Sequence, residues 1–302
     1  MAETEDLRNR LRRKPIVIAP GVYDPLTAMI AERAGFTTLY VTGGGIAYTR
    51  LGRPDIGLVS VSEVADTIAL IRDRVEANLI VDADTGYGNA LNVQRTVRSF
   101  ERAGATAIQI EDQGFPKRCG HLDDKAVVGT EEMVGKIHAA VDARRSIQTL
   151  IVARTDAAAV EGLAAALDRA ARYREAGADI LFVEAPTGKE QLGQITHSIG
   201  GSVLLMVNLV EGGKTPSLPA DELEQLGFSL AIFPGGIVRA LARTAVDYYA
   251  SLAAHRSTEP FRPHMFNFAE LNELLGTPEM LDRGKRYAPD GDAAGPKKVK
   301  MR

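Results

Sequence analysis

Tryptophan is absent from the 302 residues, and cysteine occurs once, at position 119. A single thiol excludes an internal disulfide and any zinc site built from several cysteines, and it suits a reducing compartment. Charge of one sign is not in excess: 36 basic against 39 acidic residues leave a net charge of −3. That is too little asymmetry for a surface devoted to nucleic acid or to an anionic membrane. No apolar run approaches the ~20 residues of a membrane span. The charged stretch Met1 to Lys14 lacks the apolar core of a signal peptide. The remaining composition, 45% hydrophobic and 25% charged, supports a large core in a soluble, cytoplasmic protein.

Short β-branched runs alternate with segments of helical period along almost the whole chain. Strands are expected at 16–20, 37–41, 79–82, 107–110, 149–153, 180–183, 203–206 and 229–233. Helices are expected between them, among them Pro25 to Ala34, Val61 to Arg74, Leu91 to Ala103 and Glu131 to Ala143, with the last from Gly236 to Ala253. The strands are continuously apolar, as parallel strands buried on both faces are. Eight such βα units, without a GxGxxG turn, predict an α/β chain folded as a closed (β/α)₈ barrel over residues 1–253. Residues 254–287 read as appended short helices with a break near Gly276. Residues 288–302, rich in Pro, Gly and Lys, read as a disordered tail.

Barrel active sites are assembled where strands end at the C-terminal rim. There the sequence places Thr42-Gly-Gly-Gly45, Asp82 and Asp84, Glu111 and Asp112, Arg154 and Asp156, Glu184, and Asn208. A purely structural barrel has no need to crowd Asp82, Asp84, Glu111 and Glu184, because like charges destabilise one another unless a cation compensates. All-oxygen ligation is the style of Mg²⁺, with Mn²⁺ as the alternative. The glycines of 43–45 would let backbone N–H groups approach an anion through φ > 0 conformations. Arg154 is a candidate carboxylate clamp. In Lys117-Arg-Cys-Gly-His121 the lone thiol lies among cations, which would lower its pKa and suit it to proton transfer. The other histidines (138, 197, 255 and 264) read as surface or packing residues.

These motifs, together with Leu51-Gly-Arg-Pro-Asp55, Asp82-Ala-Asp-Thr-Gly-Tyr-Gly88 and Glu211-Gly-Gly-Lys-Thr-Pro216, resemble the isocitrate lyase and phosphoenolpyruvate mutase superfamily from about residue 7 to residue 287. The resemblance implies a Mg²⁺-dependent barrel acting on a small 2-oxo or 2-hydroxy diacid or a phosphonate. It also implies a homotetramer in which pairs of subunits exchange the last barrel helix. Carried over, Asp82 and Asp84 would hold the metal with Glu111 nearby, and Asp55 would lie close to the reacting group. Tyr40, Thr42, Gly43 and Gly44 would cradle the oxo-acid end. Arg154, Glu184, Asn208 and Thr215 would contact substrate, and Lys117 to His121 would form a gating loop over residues 114–127. The Cys-bearing loop resembles the carbon–carbon lyase branch, with cleavage of a 2-methylisocitrate or 2,3-dimethylmalate type of 2-hydroxy dicarboxylate. Cys119 would then be the proton donor, tuned by His121 and Arg118, and Tyr40 or a metal-associated group the base. Gly212 stands where methylisocitrate lyases usually carry Phe, which leans towards a smaller malate. The alternatives are a carboxyphosphonoenolpyruvate phosphonomutase, an oxaloacetate hydrolase, which usually carries Ser where Pro234 stands, and more remotely a non-catalytic binding protein.

Overall fold

In a closed barrel each strand turns alternate side chains to the interior, so a step of two residues decides what fills the centre. The computed structural model describes residues 6–122, 124–201 and 203–287. Its strands are β1 (Val17–Val22), β2 (Thr38–Val41), β3 (Asn78–Asp82), β4 (Ala107–Glu111), β5 (Leu150–Thr155), β6 (Ile180–Val183), β7 (Leu204–Asn208) and β8 (Leu230–Phe233). They close in sequence order, and β8 pairs back onto β1. Every pairing is parallel, with registers such as Val41 opposite Val81 and Glu111 opposite Arg154. The expected (β/α)₈ barrel is therefore observed.

Several strands run one or two residues further than their apolar runs suggest. Glu111, Arg154, Thr155 and Asn208 are themselves strand residues. Glu111, Arg154 and Asn208 have a cavity to enter at the end of the strand, while Thr155, on the opposite face, donates to Asp112. Helices between the strands start on ordinary caps. Ser60 and Glu63 form a reciprocal capping box, Asn89 and Asn92 another, and Gly104 ends its helix in the left-handed conformation.

The barrel interior is filled by Val17, Ala19, Tyr40, Ile80, Ala107, Leu150, Val152, Ile180, Phe182, Met206, Leu230 and Ile232. Leu7 and Leu11 join the same cluster from a one-turn helix, Leu7–Leu11, capped by Asp6. This helix packs into the interior away from the polar rim. The sequence reading of Met1 to Lys14 as merely charged missed it, although two leucines four apart mark one helical face.

The chain divides into two compact units, Met1–Ala240 and Leu241–Arg302. The boundary falls inside the 20-residue helix Gly236–His255. In the second unit, short helices follow at Phe268–Leu275 and Thr277–Lys285, separated by Gly276 in the left-handed conformation at the expected break. Neither short helix buries a residue, and Phe268 is 88% exposed. The expected tail, 288–302, lies outside the described residues. Among the described residues no helix is long and apolar enough to cross a membrane.

Leu11→Ala should lower unfolding free energy by ~2–5 kcal/mol, as truncation of a buried leucine does. Leu91→Ala, at a position 74% exposed, should change it by less than about 0.5 kcal/mol. Urea unfolding of the two variants checks the contrast, and equal effects would mean that the N-terminal turn is not part of the core.

Candidate active site

Extending the inward parity of each strand by two residues reaches the polar rim. Ile80 leads to Asp82, Ala107 to Gln109 and Glu111, Val152 to Arg154, Phe182 to Glu184, and Met206 to Asn208. All of these rim side chains but Gln109, which is buried against Tyr40 and Asp82, line one cavity of about 70 Å³ together with Tyr40, Thr42, Gly44, Asp55, Lys117, Arg118, Cys119 and His121. Val210, Ile232 and Pro234 give it an apolar wall. Thirteen of the sixteen site residues expected from sequence thus share one chamber. Gly43 lies behind it, where an added Cβ would stand 3.2 Å from Asp82 Oδ2. Asp84 lines a neighbouring cavity of about 380 Å³ instead. Thr215 is buried outside the lining, and its hydroxyl has no hydrogen-bond partner.

Three ion-pair groups organise the chamber. Lys117 Nζ lies 2.5 Å from Asp55 Oδ1 and 2.6 Å from Asp84 Oδ1. The second contact is an ion pair without hydrogen-bond alignment. Arg154 donates through Nε and Nη2 to both oxygens of Asp156, at 2.8 and 3.0 Å, and its Nη1 stands 3.2 Å from Glu111 Oε2. His121 Nε2 lies 3.2 Å from Glu184 Oε1, which also accepts from Asn208 Nδ2 at 3.1 Å. The Lys214 amide donates to His121 Nδ1 at 3.0 Å, tying the Cys-bearing loop to the Glu211–Pro216 segment. Gly213 is required there, because a Cβ would come within 2.7 Å of the imidazole.

Burial and charge set the protonation of each group. Burial and the neighbouring Asp82 and Asp55 outweigh Lys117 and push Asp84 up to about 7. Burial also holds Glu111 well above the usual carboxylate range despite Arg154. Burial would raise Glu184 too, but Arg154 and His121 outweigh it and keep it low. Burial opposes the charge on Lys117, yet Asp84 and Asp55 keep the ammonium firmly protonated.

Four expectations need correction. The thiol is not acidified: burial pushes Cys119 up, and the hydrogen bond from the His121 amide offsets this only in part. Arg118 does not tune it, since the guanidinium turns outward to within 3.5 Å of Asp124. Tyr40 is not a base, because burial and then Asp82 hold its phenol far above the ordinary range, and it donates to Gln109 Oε1 at 2.9 Å. Residues 43–45 are not an open φ > 0 loop. They form a short helix, Gly43–Ile46, capped by Thr42, and glycine is needed at 45 because a Cβ would strike Thr42 at 2.6 Å.

The acidic set does not form a ready-made cage. Among the described residues no three His, Cys, Asp or Glu side chains are grouped to hold an ion by themselves. Glu111 is turned to Arg154 and Asp84 to Lys117, while Asp82 Oδ1 accepts from the Asp84 amide and from Gln109 Nε2. The residues nonetheless fit a hard divalent cation: every donor is an oxygen, and Glu111 Oε1 is buried without a partner. One or two carboxylates completed by water and substrate oxygens is the usual Mg²⁺ arrangement.

Sequence reasoning also missed Asp156 as the partner of Arg154, two residues on in the same parity. It missed Asp112 as its support: Asp112 accepts from the Asp156 amide, Thr155 Oγ1 and Tyr173 OH at 2.7–2.9 Å.

Comparison with known proteins agrees with this architecture. Residues 7–253 match the family model described as phosphoenolpyruvate phosphomutase. The chain is 42% identical over 282 residues to 2,3-dimethylmalate lyase of Eubacterium barkeri, covering 93% of this chain and 97% of that one. It is 44% identical over 270 residues to 2-methylisocitrate lyase of Aeropyrum pernix, covering 89% and 86%. A crystal structure of phosphonopyruvate hydrolase complexed with oxalate and Mg²⁺ superposes with a TM-score of 0.85 at 30% identity, covering 95% of this chain and 99% of that one. The chain belongs to the isocitrate lyase and phosphoenolpyruvate mutase superfamily.

Proposed function

We propose that the protein is a divalent-metal-dependent carbon–carbon lyase that cleaves a small, alkyl-substituted 2-hydroxy dicarboxylate of the 2,3-dimethylmalate type into a 2-oxo acid and a carboxylate. The observation that carries this reading is the placement of the Cys119 thiol, which burial pushes up, in the same chamber as Arg154 and the acidic rim. A thiolate would suit covalent attack; a thiol kept in its neutral form suits delivery of a proton to carbon. Both lyase relatives supply the reaction class. The apolar wall of Val210, Ile232 and Pro234 favours methyl substituents over a third carboxylate.

A Mg²⁺ ion held by Asp82 and Asp84, with Glu111 close by, would supply Lewis-acid polarisation of the substrate's hydroxyl and carboxylate oxygens. Asp55, on the chamber wall, takes the hydroxyl proton. The bond between C2 and C3 then breaks, leaving the 2-oxo acid from C2 and an enediolate at the C3 fragment. Arg154 faces that developing charge, and preorganised donors in a water-poor site are worth more than in bulk solvent. Cys119 gives its proton to C3. Return of the proton from Asp55 to the thiolate, through solvent once the site opens, restores both groups.

The exposed apolar side chains of Leu241–Tyr287, with Phe268, Leu281 and Tyr287 all more than 60% exposed, support assembly with further copies of the chain into the homotetramer implied by the resemblance. Light scattering should return a mass four times that of the 32.4 kDa chain; a monomer would overturn the assembly.

Purified protein with Mg²⁺ should release a 2-oxo acid from 2,3-dimethylmalate faster than from 2-methylisocitrate or oxaloacetate, and chelation should abolish release. No release from any of the three would reject the lyase reading. Cys119→Ser should keep substrate affinity and lose at least about 10²-fold in turnover, the scale of lost proton transfer. Since the thiol donates only below its raised pKa, the alkaline limb of kcat/KM should lie above the ordinary thiol range near ~8.5, and a limb below it would remove Cys119 from that role.

A further inference from the structure

Lys125 has no place in the motifs read from sequence, yet its side chain is only 1% exposed. Buried lysines are rare unless paired. Its Nζ lies 2.8 Å from Asp156 Oδ1 and donates to the Gly120 carbonyl. Asp156 Oδ1 is the oxygen that also accepts from Arg154 Nη2, while Oδ2 takes Arg154 Nε. The Asp156 amide is fixed by Asp112, itself held by Tyr173 of the helix Leu163–Glu175. Asp156 is therefore an immobile acceptor shared by the guanidinium in the chamber and by the Cys-bearing loop.

Gly120 separates Cys119 from His121, and it is the point at which the loop presses hardest on the chamber. An added Cβ would stand 2.3 Å from Glu184 Oε1 and 2.4 Å from Arg154 Nη2. The base of the loop is laced independently, by the Gly114 amide on the Ala126 carbonyl at 2.8 Å and by Gln113 exchanging hydrogen bonds with the Arg118 backbone. Its tip is joined to the β5 end of the barrel by Lys125.

We infer that Lys125 is a positioning residue: by bridging the Gly120 carbonyl to Asp156 it seats Cys119 over the chamber and fixes that seat to the orientation of Arg154. Loop closure and clamp orientation then depend on one carboxylate, so the thiol is delivered only over a correctly aligned guanidinium. The inference rests on the lyase reading for its catalytic meaning, but the seat of the thiol can be measured without turnover.

The test uses the full chain. Because Cys119 is the only thiol, its modification by iodoacetamide, followed by intact mass across the thiol's titration, reads loop opening without background. Lys125→Met leaves Asp156 paired with Arg154. It should raise the limiting alkylation rate at least about tenfold, as loss of a local closure contact does, while circular dichroism stays native. Lys125→Arg should restore the rate to within about threefold of the parent, and should recover the kcat that Lys125→Met loses with KM little changed. A folded Lys125→Met protein with parental alkylation overturns the inference. Should that variant fail to fold, Lys125→Gln decides in the same assay, an accelerated rate supporting the latch and a parental rate refuting it. If no diacid is cleaved by the parent protein, the lyase reading fails while the alkylation rates still decide the role of Lys125.

Discussion

The alternation of side chains along a barrel strand governs this molecule more than any single contact. Once Ile80, Ala107, Val152, Phe182 and Met206 point inward to fill the centre, the residue two further on must stand over the mouth. Asp82, Gln109, Arg154, Glu184 and Asn208 occupy those positions. The hydrophobic core and the polar chamber are thus two stretches of one continuous interior surface. A one-residue slip in any strand would exchange a chamber group for a residue of the outer face.

That geometry forces charges into a space with little water, and the structure resolves the conflict by pairing. Asp156 and Glu184 stay ionised because Arg154, Lys125 and His121 face them, whereas Glu111 and Asp84 are driven towards their neutral forms. Desolvation is the leading influence on each of these carboxyls, and the partner decides only the direction of the outcome. The thiol obeys the same rule. Although Lys117, Arg118 and His121 surround it in sequence, none presents a bare cation to the sulfur. Lys117 is committed to Asp55 and Asp84, Arg118 faces outward, and the His121 ring is committed to Glu184 and the Lys214 amide.

This contrast marks how far the sequence could be read. The eight strands, the rim residues and the C-terminal helices were legible because each depends on periodicity or on position relative to a strand end. The motif resemblance added the loop and its relation to the chamber. The thiol's protonation, the inertness of Tyr40 as a base and the helical course of Gly43–Ile46 were not legible. They depend on which atoms share a buried space, and neighbours along the chain are a poor guide to that. The roles of Lys125 and Asp112 were hidden for the same reason: they arise from partners 31 and 44 positions away. The pairing of Asp156 with Arg154 could have been found, since Asp156 repeats the inward parity of Arg154.

The turn at Leu7–Leu11 ties the fold to residues that precede the first strand. Leu7 and Leu11 complete the packed cluster inside the barrel, so trimming the chain ahead of β1 would open a void in the core rather than shorten a loose end.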